Sequence, residues 1–203
     1  MKKKGIIFTS IFLSLIIAVC SFTPIVNMSE NISEKVFRLH ILANSDEKYD
    51  QELKLKVRDE VLKHTEIIFS HCSSVKEAIN SANSNMSEIA KTAQRVIYDN
   101  GYNYPVKAYT TNEYFNTRKY ENFTLPAGVY SALKIEIGCG RGKNWWCVMF
   151  PAVCITGCSD EFNKSLTEEE RKMIESDKYI IKFKAVEIYE NIKNRLQKLD
   201  KNP

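Results

Sequence analysis

The residues best suited to chemistry in this 203-residue chain are three histidines and six cysteines. A thiolate beside an imidazole makes a nucleophile and its base. Cys147 with His40 and a carboxylate such as Asp46 is the one set of that kind the chain can assemble. Nothing near Cys147 supplies an oxyanion hole. Zinc is the rival use of these residues, with Cys147, Cys154, Cys158 and a histidine as ligands, but the paired CxxC spacing of a strong zinc site is missing. The run Ile137 to Lys143, IGCGRGK, mimics a phosphate-binding loop. It lies between two strands, so the helix N-terminus that would bind phosphate is absent, and a hairpin turn is expected instead. GxSxG, HExxH and P-loop motifs are lacking. His40 reads as the polar face of a strand, while His64 and His71 fall in or after a charged helix end. The expectation is a protein with no catalytic residue, no metal, no cofactor and no small-molecule substrate.

The elements that must position these residues centre on Tyr120 to Cys154. Val129, Leu133, Ile135 and Ile137 are apolar, with Lys134 and Glu136 interleaved, which is the period-two pattern of a strand with one wet face. Trp145 to Phe150 is apolar at nearly every position, as in a strand buried on both faces near the middle of a sheet. Neighbouring Trp145 and Trp146 must then anchor opposite layers. Upstream, Lys35 to Leu42 alternates as a first strand. Ser45 and Asp46 offer an N-cap to a helix from Glu47 to about Thr65, with Leu53, Val57 and Val61 on one face and charges, Lys54 among them, on the other. Ser74 with Glu77 forms a capping box for a second long helix that reaches Tyr98. Tyr104 to Tyr109 reads as another strand. The implied class is α+β: a mixed or antiparallel sheet with two packed helices, plus a C-terminal helical tail.

Four regions are expected in order. Residues 1–20 read as a signal peptide: Lys2, Lys3 and Lys4 precede an apolar run too short to span a bilayer, and Ala18-Val19-Cys20 fits cleavage before Ser21. An uncleaved anchor extended by Phe22, Pro24, Ile25 and Val26 is the rival, and lipidation of Cys20 is disfavoured by bulky Val19. Residues 21–34 read as a linker, 35–158 as the α+β domain, and 159–203 as a polar connector and helical tail starting near Thr167. The formal charge of +4 owes three units to Lys2, Lys3 and Lys4, which leaves 26 basic against 25 acidic residues. Such a balance gives no nucleic-acid footprint.

The combination RLHILANSD, LKLKVRDEVL, GYNYPV and LPAGVYSALKIEIGCGRGKNWWCVMFP, across roughly residues 36 to 155, resembles the stage II sporulation protein R family. That resemblance implies a ligand rather than an enzyme. It implies a protein made in the forespore and secreted into the intermembrane space between forespore and mother cell. There it would activate a membrane-embedded sporulation aspartic protease that processes a sigma factor precursor, pro-sigma-E. The readings set against it are an exported cysteine hydrolase using Cys147 and a membrane-anchored structural protein of the spore envelope.

Two groups of side chains follow from this reading. In an exported chain, five cysteines after signal removal suggest disulfides with one thiol left over. Cys147 and Cys154 lie within the family-like motif, separated by a bend containing Pro151, and are the favoured pair; Cys139 with Cys158 is the weaker one, and buried free thiols are the alternative. For the partner-binding surface, Tyr102, Tyr104, Tyr114, Phe115 and Tyr120 are the candidates, because exposed aromatics dominate interface energies. The alternative is that they fill the edge of the core.

Overall fold

The computed structural model describes residues 2–120, 122–151, 160–176 and 179–200. Strand β1 (Phe37–Leu42) is the centre of the molecule. It pairs in parallel with β5 (Gly128–Ile137) on one side and antiparallel with β6 (Asn144–Phe150) on the other. Strand β2 (Val106–Phe115) adds antiparallel to β5, which gives a four-stranded mixed sheet in the order β2-β5-β1-β6. A two-stranded ribbon, β3 (Arg118–Lys119) with β4 (Thr124–Leu125), stands apart from it.

One face of the sheet carries the helices α2 (Lys48–Phe69), α3 (Val75–Ser84) and α4 (Met86–Asp99). The apolar stripe of α2, Leu53, Val57 and Val61, meets Leu39, Ile41, Leu133 and Ile135, all buried. The second long helix is broken in two. Asn85 gives both its backbone N–H and its side-chain amide to the Ser81 carbonyl, which ends α3 before α4 begins. Ser74 does cap α3, accepting from the Glu77 N–H, while the Glu77 carboxylate bonds Ser73 instead. The start of α2 is also displaced: Glu47 is its N-cap, without a side-chain bond.

The opposite face is covered by elements from both ends of the chain. Helix α1 (Lys2–Glu34) runs directly into β1, so residues 21–34 are helix and not a linker. Val26 and Ile32 are buried because α1 lies against β5 and against α7 (Ile180–Asp200). Phe22 meets Tyr189 edge to face, and Lys193 bonds Glu30 at 2.6 Å. Helix α5 (Asp160–Ser165) supplies Phe162, and α6 (Glu168–Glu175), started by a Thr167–Glu170 capping box, supplies Met173 and Ile174. The tail is thus a second layer, and β1 is covered on both faces. Ile6, Phe8, Ile11, Phe12 and Ile17 of α1 remain exposed. Among the described residues no helix is long and apolar enough to cross a membrane.

Two expectations about the central stretch are corrected here. The Gly-rich segment is not a hairpin turn, because β5 and β6 are separated by β1. It is a crossover that passes over the end of β1. Consequently β6 is an edge strand rather than a central one. Trp145 and Trp146 do face opposite layers, Trp145 against the helices and Trp146 against the tail side.

Cys147 is disulfide-bonded, and Cys20, Cys72 and Cys139 are free thiols. The favoured partner, Cys154, lies outside the described residues. The weaker pairing of Cys139 with Cys158 is excluded by the free Cys139 thiol. Reducing the protein, or replacing Cys147 by Ser, is expected to lower stability by about 2–4 kcal/mol through release of a constraint on the unfolded chain. Denaturant titration with and without reductant checks this: a Cys147→Ser protein that still responds to reductant would contradict it.

Candidate functional site

At the carboxyl end of β1, three segments converge. Asn44-Ser45-Asp46 leaves the strand, the crossover 138–143 passes above it, and the loop 101–105 closes from the side. Close backbone approach explains the glycines. Gly138 has φ +59°, and a Cβ there would fall 2.3 Å from Asn44 Oδ1. Each amide of the crossover is already taken. Gly138 N–H donates to the Pro105 carbonyl, Cys139 N–H to Asn44 Oδ1, and Arg141 and Gly142 N–H to the Asn44 and Ala43 carbonyls. Gly140 N–H donates back to Ile137, and Lys143 N–H donates to Asp46 Oδ1 at 2.7 Å. No amide is left to cradle a phosphate.

Beneath the crossover sits Asp50, 1% exposed, accepting from Asn44 Nδ2 at 2.8 Å and Ser45 Oγ at 2.6 Å. Lys54, expected on a solvated helix face, is buried. It donates to Gln51 Oε1 and the Lys143 carbonyl, and burial holds its ammonium below the usual lysine range. Above Asp50 stand three tyrosines in a row. Tyr49 stacks on Tyr102 at 6.1 Å between ring centroids, and Tyr102 on Tyr104 at 5.4 Å. Burial and then the Asp50 carboxylate push the Tyr104 phenol up. Tyr49, at the first turn of α2, is 48% exposed. This rim is aromatic on top and polar below.

Of the five aromatic candidates, the rim brings together Tyr102 and Tyr104. The other three belong to the second layer. Phe115 is 1% exposed and cannot be a partner contact; the Arg38 guanidinium lies 4.1 Å over its ring. Tyr120 stacks on Phe123 and accepts from Arg38 Nη2 at 2.8 Å. Tyr114 reaches α7, its hydroxyl 3.4 Å from the Glu187 carbonyl, and burial pushes its phenol up to about 12. Tyr49 escapes the sequence reading altogether. Its signal there is an aromatic residue in a first helical turn beside a buried acid.

The cysteine–histidine set does not assemble. Cys147 is bonded in a disulfide and sits in the helix-side core, whereas His40 points to the other face of the sheet. Nor is His40 on a wet face. It is 7% exposed, held by Glu113 Oε1 at 2.6 Å and Asn144 Oδ1 at 2.8 Å. Asp46 is used to hold the crossover. Among the described residues no group of three His, Cys, Asp or Glu is placed to hold a metal ion.

The His40 network predicts a pH dependence. Burial pushes the Glu113 carboxyl up, but the hydrogen bond and charge of His40, followed by Lys134 at 3.3 Å, outweigh it and leave it lowered. A carboxyl depressed by folding contributes stability above its ordinary value of 4.5, which is lost as pH falls through the lower folded value. Glu113→Gln is therefore expected to be less stable at neutral pH and to flatten the acid limb of the stability curve. Parallel curves for the two proteins would contradict the assignment.

A family model described as Stage II sporulation protein R matches residues 33–161, which include the sheet, α2 to α4 and all three segments of the rim. A Bacillus subtilis (strain 168) protein named Stage II sporulation protein R is 33% identical over 207 residues, covering 99% of this chain and 89% of that protein. No solved structure matches. On the extent of both matches, the chain belongs to the stage II sporulation protein R family.

Proposed function

We propose that the chain is a secreted signal between the two compartments of the sporulating cell. It would activate a membrane-embedded aspartic protease in the mother-cell membrane, which then processes pro-sigma-E. The observation that carries this reading is the tyrosine rim, an aromatic surface with no nucleophile, placed on a buried network in which Asn44 and Ser45 bond Asp50 and Asp46 bonds the crossover. Such a surface suits a ligand, which shifts a partner between inactive and active states by binding one of them more tightly. It does not suit catalysis, which needs a nucleophile or base poised at an open site. The exposed apolar start of α1 behind Lys2, Lys3 and Lys4 supports export. N-terminal sequencing of the exported form is expected to begin at or near Ser21.

Co-expression with the protease and pro-sigma-E in a non-sporulating host tests the function. Cleavage of the precursor should require this chain. Cleavage that proceeds equally without it would overturn the proposal. A well-folded Cys147→Ser protein is expected to keep triggering cleavage, since Cys147 is held in a disulfide in the helix-side core.

A further inference from the structure

Strand β2 is an edge strand of the sheet, and among the described residues nothing closes its outer side. All ten of its residues pair with β5 in an unbroken register, without a bulge. The other edge strand, β6, pairs through an irregular register at Phe37 and Arg38. Natural edges are usually short, bulged or interrupted by proline, because a long regular edge offers its free N–H and C=O groups to another strand. Among the described residues, no backbone bond from outside the sheet reaches 106–115. The outward side can be identified. Val106 N–H finds its partner on α4, donating to Gln94 Oε1 at 3.1 Å, so its backbone polar groups face away from β5. By alternation those of Ala108, Thr110 and Asn112 face the same way. Gln94 stops the open edge at its start, and Tyr114 reaching α7 marks its other end. The open window is 107–113.

We propose that a second copy of this chain occupies this edge, with the two β2 strands antiparallel about a two-fold axis at Thr110. The sequence of the window is what selects that occupant. Centred on Thr110, Lys107 lies opposite Glu113 of the copy, Tyr109 opposite Thr111, and Ala108 opposite Asn112. Two of these pairs are of a kind that stabilises neighbouring strands, opposite charges and an aromatic with a β-branched residue, with Lys107 of the copy joining His40 and Lys134 around the Glu113 carboxylate; Ala108 with Asn112 is neutral. Moving the axis to Thr111 puts Lys107 against Phe115 and removes the charge pair. A parallel in-register pairing would set Lys107 against Lys107. The hydrogen-bonding pattern agrees, since Thr110 with itself and Ala108 with Asn112 are pairs in which both residues turn their backbone groups outward. Lys107 and Tyr109 are exposed, and Glu113 is one-fifth exposed. The result is a continuous eight-stranded sheet carrying two copies of the tyrosine rim.

The test is the sedimentation mass of the exported chain with three variants. The wild-type protein is expected to show the mass of a dimer. Thr110→Pro removes an N–H that β5 does not use, and proline is tolerated on an edge when its N–H side faces solvent. It is expected to give a monomer with an unchanged circular dichroism spectrum. Asn83→Ala removes the side-chain bond that Thr110 makes to α3 without touching the edge, and should stay dimeric. Lys107→Glu sets two carboxylates opposite each other twice per dimer, and should weaken the dimer by about tenfold or more. It also decides the question if Thr110→Pro fails to fold. A wild-type monomer at every concentration, or a dimer that survives both Thr110→Pro and Lys107→Glu, overturns the proposal.

Discussion

Gly142→Ala is expected to destabilise the protein by about 3 kcal/mol or more, a large fraction of the stability of an ordinary domain. A Cβ at Gly142 would lie 2.1 Å from the Ser45 carbonyl oxygen and 2.6 Å from its carbon. Both are backbone atoms, so no side chain can swing aside. Relief requires lifting the crossover off β1, which breaks the Gly142–Ala43 bond and the Lys143–Asp46 bond. It also loosens the first pairs between β1 and β6, Leu42 with Asn144 and Ile41 with Trp145. The control is Gly101→Ala. Gly101 has φ +80°, and a methyl group there would meet nothing within 4 Å, so the change costs only the left-handed conformation, about 1 kcal/mol. Denaturant midpoints of the two variants decide it. Equal losses would mean that the crossover is not packed as described.

The hairpin expected of β5 and β6, which β1 keeps apart, marks the reach of local sequence pattern. Both strands are legible, from the alternation of Val129 to Ile137 and the apolar run Trp145 to Phe150. A short Gly-rich link between two strands is the local pattern of a hairpin. Yet β1, about a hundred residues upstream, lies between them, and no local signal reports a long-range insertion of that kind. The same limit applies to Arg38 and His40. Alternation places them on a wet face, but a layer drawn from α1 and the tail covers it, leaving Arg38 fully buried over Phe115 and Tyr130. In sequence that layer has the look of a linker and a polar tail. Its buried residues, such as Ile32, Ile174 and Phe183, are sparse among charges, so periodicity there is weak. Helix α2 is legible because its stripe is dense. The break at Asn85 is not, because the apolar face continues through it.

The site is legible only in part, for a related reason. Tyr102 and Tyr104 stand out because they sit in a loop between recognisable elements. Phe115 and Tyr120 look equivalent to them, and only the second layer separates surface from core. Tyr49 stands on a helix whose charged side reads as merely solvated. The rim is built from three distant segments, and what joins them is the bonding of Asn44, Asp46 and Asp50, which no spacing in the chain reveals.

The double variant Tyr49→Ala, Tyr102→Ala is expected to fold and to fail as a signal. Truncating aromatic residues at the centre of an interface typically costs about 2 kcal/mol or more each, or about thirtyfold in affinity. Within the free protein the same change removes two stacked pairs, Tyr49 with Tyr102 and Tyr102 with Tyr104, each worth about 0.5–1.5 kcal/mol, and both truncated side chains are already partly exposed. Asp50 keeps its bonds to Asn44 and Ser45, so the platform under the rings stays intact. The two effects therefore separate: precursor cleavage per unit of folded, exported protein should fall by more than about tenfold, while the melting temperature falls by no more than about ten degrees and the protein stays folded at 37 °C. Ile67→Ala is the matching control. Ile67 is 72% exposed on the same helix, eighteen residues and about 27 Å from Tyr49, and its loss should leave signalling unchanged. Signalling that survives the tyrosine pair, or that fails equally in Ile67→Ala, would place the activating surface elsewhere on the domain.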